Sequence, residues 1–236
     1  MKKPESVPSL SAHRRFKLQS GEPLPARSQL CDTHREEVAS LWTHAIGVVL
    51  SFIALGVMLV LAGNDPRKLV SAAVFGVSLI MLYSASSLYH FLTGLRWKSR
   101  MQALDHACIY LLIAGSYTPV CLVVLHGAWG NTLLTLVWAM AAAGVIVKLV
   151  LKSGRDHWIS TALYLAMGWL VLIAIVPLWR VMPAGGMGWL VAGGAAYTGG
   201  VAFFAWKRLP FHHAIWHLFV LAGSACHVLA VVLHVL

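Results

Sequence analysis

Long apolar stretches broken by charge, proline or glycine recur seven times along this chain, at about 42–61, 69–92, 102–125, 131–151, 158–179, 186–206 and 211–235. Each is close to the roughly 20 apolar residues that a helix needs to cross a bilayer. The pattern predicts an all-α membrane protein, a bundle of seven transmembrane helices occupying residues 41–236. The weakest break lies between the third and fourth stretches, where His126, Gly127, Gly130 and Asn131 mark a turn without charge. Fusing the two would give a run of about 50 residues, too long for one crossing. Residues 1–40 carry charges of both signs, prolines and no apolar run, and read as a polar cytosolic tail. Despite Lys2 and Lys3, they lack the apolar region of a cleavable signal peptide. No internal repeat or second domain is visible.

Composition narrows the class. Of 236 residues, 59% are hydrophobic and only 11% charged, against roughly a quarter charged in soluble domains. A soluble globular protein, a disordered chain and a coiled coil are excluded. The four cysteines, Cys31, Cys108, Cys121 and Cys226, form no C-x-x-C pair, so packing suits them better than metal or redox chemistry.

The net charge of +10 is explained by position. Basic residues gather in the tail and in alternate loops, at Arg96, Lys98 and Arg100, at Lys148, Lys152 and Arg155, and at Lys207 and Arg208. The opposite side has only Arg67, Lys68 and Arg180. This asymmetry predicts a cytoplasmic amino terminus and an outer carboxyl terminus in a multi-pass protein of the cytoplasmic (inner) membrane. Glu5, Glu22, Asp32, Glu36 and Glu37 dilute the basic tail, so no nucleic-acid partner is expected.

Ionisable groups inside hydrocarbon are costly and mark function by default. Four fall at one depth, near the helix ends predicted to face the cytoplasm: His90, Asp105, His213 and His217. His213 and His217 are spaced i, i+4, so both imidazoles leave one helix face and can grip one ion. A third histidine, His90, completes three ligands, the number that catalytic zinc takes before a water fills its fourth position. Asp105 could be a ligand or could hold that water by hydrogen bond. Ser86, one turn before His90, shares its face and could donate to a group the metal polarises.

The competing reading is interhelical hydrogen bonding by isolated histidines. His44 rivals His90 as third ligand, although a helix-end hydrogen bond suits it better. His212 points away from His213, His106 reads as satisfied near its loop, and His227 reads as a packed core residue. His126 and His234 fall on the outer side, and His13, His34 and His157 in tail or loops. Pro119 is expected to kink the third helix, and the glycines of the sixth allow close contact. Trp42, Trp97, Trp129, Trp158 and Trp179 lie near helix ends, as in an interfacial aromatic belt.

Four segments resemble the hemolysin III family, the bacterial branch of the progestin and adipoQ receptor family that includes the adiponectin receptors. They are E-E-V-A-S-L-W-T-H-A-I-G (Glu36 to Gly47), S-S-L-Y-H (Ser86 to His90), L-D-H-A-C-I-Y-L-L-I-A-G-S-Y-T-P (Leu104 to Pro119) and H-A-I-W-H-L-F-V-L-A-G-S-A-C-H (His213 to His227). The resemblance implies seven helices with a cytosolic amino terminus, and zinc held by His90, His213 and His217. It associates Asp105 with the zinc-bound water and makes Ser86 the motif serine. Ser40 stands where the family usually has asparagine, which puts in doubt any bond from that amide. Related ceramidases and adiponectin receptors imply a zinc-dependent hydrolase of a lipid amide, with Asp105 and Ser86 catalytic and a lipid amide or fatty acid in the bundle. The family name implies instead a pore-forming protein. A third alternative is a non-enzymatic, lipid-sensing protein of membrane homeostasis; in both non-enzymatic readings zinc is structural. Membrane lipids are the expected partners throughout.

Overall fold

The computed structural model describes residues 33–92, 95–150 and 158–236. The residues before Thr33, with Cys31 and His13, lie outside it, as do Lys152, Arg155 and His157. Among the described residues all regular structure is helical, and seven helices are long and apolar enough to cross a membrane. We label them α1 (His34–Ala62), α2 (Pro66–Phe91), α3 (Leu95–Pro119), α4 (Ala128–Val150), α5 (Trp158–Val181), α6 (Ala184–Ala205) and α7 (His212–His234).

Several helices start or end where capping chemistry requires. Thr33 and Glu36 form a reciprocal capping box: the Glu36 N–H donates to Thr33 Oγ1 and the Thr33 N–H to a Glu36 carboxylate oxygen. Asp65 caps α2 by accepting from the Arg67 and Lys68 N–H groups, with Pro66 opening the helix. Gly63 joins the two helices at φ 56°, which suits glycine.

The helices run past the apolar stretches that mark them in the sequence. α1 begins at His34 and α3 at Leu95, so each helix extends about two turns past its apolar run. Apolar length measures the hydrocarbon crossing, and a capped helix can continue into the polar layer. Residues 34–40, expected in the tail, are therefore helical. His34, Arg35, Glu36 and Glu37 belong to α1. Lys98, expected in a loop, is buried within α3, and Lys148, expected at the end of the fourth span, is buried within α4. The five tryptophans expected in the aromatic belt are all exposed on the outer surface of the bundle.

The helices pack α1 against α2, α2 against α3, α3 against α4 and α6 against α7, and α1 meets α7 to close the ring. Tyr83 on α2 donates to Ser224 Oγ on α7 (2.7 Å), which also meets the Tyr197 hydroxyl on α6 (2.9 Å). α5 is the exception. Its apolar stretch is the least buried of the seven, at 11% against 17% in α6 and 67% in α3, and a cavity lies between it and α3, α6 and α7.

Two helices are irregular. Beyond Pro119, which was expected to kink α3, the chain continues as a π-helical turn, Val120–Val124. α5 breaks into a helix Trp158–Gly168, a 3-10 stretch Leu170–Ala174 and a helix Ile175–Val181. The break frees backbone groups, and the Tyr117 hydroxyl takes them up. It donates toward the Met167 and Gly168 carbonyls (2.8 and 2.9 Å) and accepts from the Val171 N–H (2.9 Å). Unpaired polar groups in a membrane bundle are costly. Tyr117→Phe should therefore destabilise the protein by about 1–3 kcal/mol, seen as a lower melting temperature and faster hydrogen exchange around Val171.

Candidate metal centre

α2 ends and α7 begins at the same end of the bundle, because each long helix reverses direction. This carries His90, in the last turn of α2, to His213 and His217, in the first turns of α7. One ligand nitrogen from each lies within 4.8 Å of the other two. A tetrahedral ion at about 2.1 Å would set nitrogens roughly 3.4 Å apart, so the three would draw together on binding one. His90 and His217 are buried and His213 is partly buried. The three histidines could hold a metal ion.

On His90 and His217 the Nδ1 nitrogen is already engaged, on His217 by Thr43 Oγ1 (3.1 Å) as well, whose own proton goes to the Ser40 carbonyl. Glu37 Oε2 lies 2.8 Å from His90 Nδ1, and the Ser40 carbonyl 3.1 Å from His217 Nδ1. A carboxylate and a carbonyl only accept, so each ring carries its proton on Nδ1 and turns the Nε2 lone pair inward. His90 Nε2 is buried without a hydrogen-bond partner, as an atom reserved for an ion would be. The Ser40 contact also bears on the missing asparagine: the backbone carbonyl serves here, whatever side chain stands at 40.

His44 lies outside the cluster. Its ring stacks on His217 at 3.4 Å between centroids and 11° between planes, and both its nitrogens are buried without partners. His106 is buried in α3, with Nδ1 2.7 Å from the Gln102 carbonyl, and so lies inside a helix instead of near a loop. His227 is likewise interior, beside Tyr197.

Ser86 and Asp105 line a cavity of about 200 Å³ together with two of the three histidines, His213 and His217. Ser86 Oγ is buried and unpartnered. Asp105 is buried and engaged with its surroundings. The same cavity continues between α3, α5, α6 and α7 as far as His227 and Met187, along mostly apolar walls. His217 and His227 are ten residues apart on one helix, about 15 Å along its axis.

Glu37 is the residue that sequence reasoning missed, having been counted as a tail charge. The signal was present: Glu37, Ser40, His44, Gly47 and Ser51 recur at intervals of three and four, and the last four are the buried face of α1. Lys98, assigned to a loop, donates to the second Glu37 oxygen at 2.8 Å.

Fold and site together define a seven-helix membrane protein with a buried histidine triad at one end of an apolar cavity. The profile of the family described as Haemolysin-III related matches residues 33–228. The chain is 45% identical over 195 residues to the Hemolysin-3 homolog of Bacillus subtilis (strain 168), covering 82% of this chain and 91% of that protein. It is 43% identical over 204 residues to Hemolysin-3 of Bacillus cereus, covering 86% and 93%. Human monocyte to macrophage differentiation factor is more distant, at 28% over 226 residues and 92% of each chain. The chain belongs to the haemolysin-III-related family.

Proposed function

We propose that His90, His213 and His217 bind zinc, and that the protein is a zinc-dependent hydrolase of a lipid amide. The observation that carries this reading is a cluster of three imidazoles, two of which, His213 and His217, line one apolar cavity with a buried unpartnered serine hydroxyl and a buried carboxylate. Three neutral nitrogens suit zinc and leave a fourth position for catalysis. Bound zinc supplies a Lewis acid that polarises a carbonyl and acidifies water.

The chain's own residues do the rest. The apolar walls take the acyl chain and exclude bulk water. Ser86 Oγ donates to the carbonyl oxygen as negative charge develops there. Asp105 accepts the proton of the attacking water, whose oxygen bonds to the carbonyl carbon. It then returns that proton to the amide nitrogen as the carbon–nitrogen bond breaks. The products are a fatty acid and an amine. Sparse packing of α5 offers lateral entry from the bilayer.

The relatives' name, Hemolysin-3, points to membrane lysis. An apolar cavity fits an acyl chain better than a water-filled pore, so that reading ranks second. The test is release of free fatty acid from ceramide-like lipids in nanodiscs. Zinc-dependent release supports the hydrolase. Permeabilisation of vesicles without release from any lipid supports the alternative.

We place the amino terminus in the cytoplasm of a cell whose inner membrane holds the protein, and the metal centre near that face, from the basic-residue asymmetry. Single cysteines at Gly63 or Leu236 should react with an impermeant thiol reagent added outside, and one at the exposed Arg100 should not. The reverse pattern would invert the topology.

A further inference from the structure

Glu37 supplies no ligand, yet its carboxylate meets His90 directly. One oxygen accepts from His90 Nδ1 at 2.8 Å and the other from Lys98 Nζ at 2.8 Å. The Lys98 ammonium is held in turn by the Tyr89 carbonyl (3.4 Å) and lies 4.8 Å from the centre of the Tyr89 ring. The carboxylate is thus fixed at both oxygens, by groups on α2 and α3. The adjacent Glu36 accepts from the Phe211 N–H at 2.9 Å, immediately before the helix that carries His213 and His217. Phe211 has φ 58°, a left-handed conformation unusual for a bulky residue, and this bond helps to hold it.

We infer that Glu37 is the positioning residue that fixes His90 for the ion, that Lys98 fixes Glu37, and that the first two turns of α1 are ordered together with the metal. This rests on the zinc reading above. An ordinary surface ion pair contributes about 0–1 kcal/mol, but this one is not on the surface: the His90 side chain is 0% exposed and that of Glu37 16%. The carboxylate selects the tautomer, restrains ring rotation and raises the basicity of Nε2, and loss of such a partner typically weakens metal binding about 10–100-fold. Coupling between sites is reciprocal. If a docked α1 tightens the site for metal, metal must tighten the docking of α1.

The experiment is a chelator-competition titration of the purified full chain with zinc, repeated with cobalt to read the d–d absorption spectrum. Glu37→Gln should weaken zinc binding about 10–100-fold and alter the cobalt spectrum, and Glu37→Asp should recover part of both. Lys98→Met should give a smaller loss in the same direction. The double variant Glu37→Gln, Lys98→Met should bind no more weakly than Glu37→Gln alone, since Lys98 acts through Glu37. Removing zinc from the wild type should speed hydrogen exchange over residues 34–40.

Wild-type zinc affinity and an unchanged cobalt spectrum in Glu37→Gln would overturn the positioning role and leave the zinc reading standing. A wild-type chain that binds neither ion would overturn both. Should Glu37→Gln not fold, the ¹⁵N-histidine spectrum of the zinc-loaded wild type decides: His90 protonated at Nδ1 and metallated at Nε2 is expected, and metallation at Nδ1 refutes the assignment.

Discussion

Replacing His213 or His217 by alanine is expected to remove most of the zinc from a protein that otherwise purifies with about one ion per chain. On the zinc reading each histidine supplies one of three nitrogens, and two are not expected to hold the ion against solvent. A second effect should accompany the loss. His90 Nε2 and the remaining imidazole would be left buried and unpaired, and polar groups in a bundle are costly without partners. Both variants should therefore melt at a lower temperature than the wild type. Zinc analysis and thermal denaturation in detergent are the two readouts. Full occupancy in a His90, His213, His217 triple alanine variant would remove the triad from consideration.

Asp105→Asn is expected to separate chemistry from structure. The amide is nearly isosteric, the three histidines are untouched, and zinc content and melting should stay close to wild type. Hydrolysis of a lipid amide should nevertheless fall about a hundredfold or more, because an amide cannot accept and return the proton. Were the metal only a staple between α2 and α7, the same substitution would alter stability alone. A variant that keeps both zinc and wild-type turnover would take Asp105 out of the reaction.

The triad was legible because each histidine interrupts an apolar stretch near an end that alternation assigns to the same side. His90 was preferred to His44 from the sequence, and the helix-end hydrogen bond expected for His44 is replaced by stacking on His217 with both ring nitrogens unpartnered. The stacking of His44 on His217 depends on how α1 packs against α7, which no local spacing encodes. The seven crossings were legible for the same reason that their ends were not. Hydropathy responds to hydrocarbon, and the first turns of α1 and α3 stand beyond it. Glu37 and Lys98 were missed in consequence, each read as a loop or tail charge when it was a helical residue facing the site.

The break in α5 had little signature, because residues 158–179 read as one apolar run. Its partner Tyr117 lay in a segment read as architecture, and the hydrogen bonds place it there. The cavity could not be read at all. It exists where α5 fails to pack, and contact that is absent leaves no periodicity in a sequence.

X-ray absorption at the zinc edge of the purified protein tests the account most directly. Three nitrogen neighbours and one oxygen at about 2.0–2.1 Å, with most of the zinc lost in His90→Ala, would be an open histidine site as described. A sulfur neighbour at about 2.3 Å, or a zinc environment unchanged by His90→Ala, would contradict it.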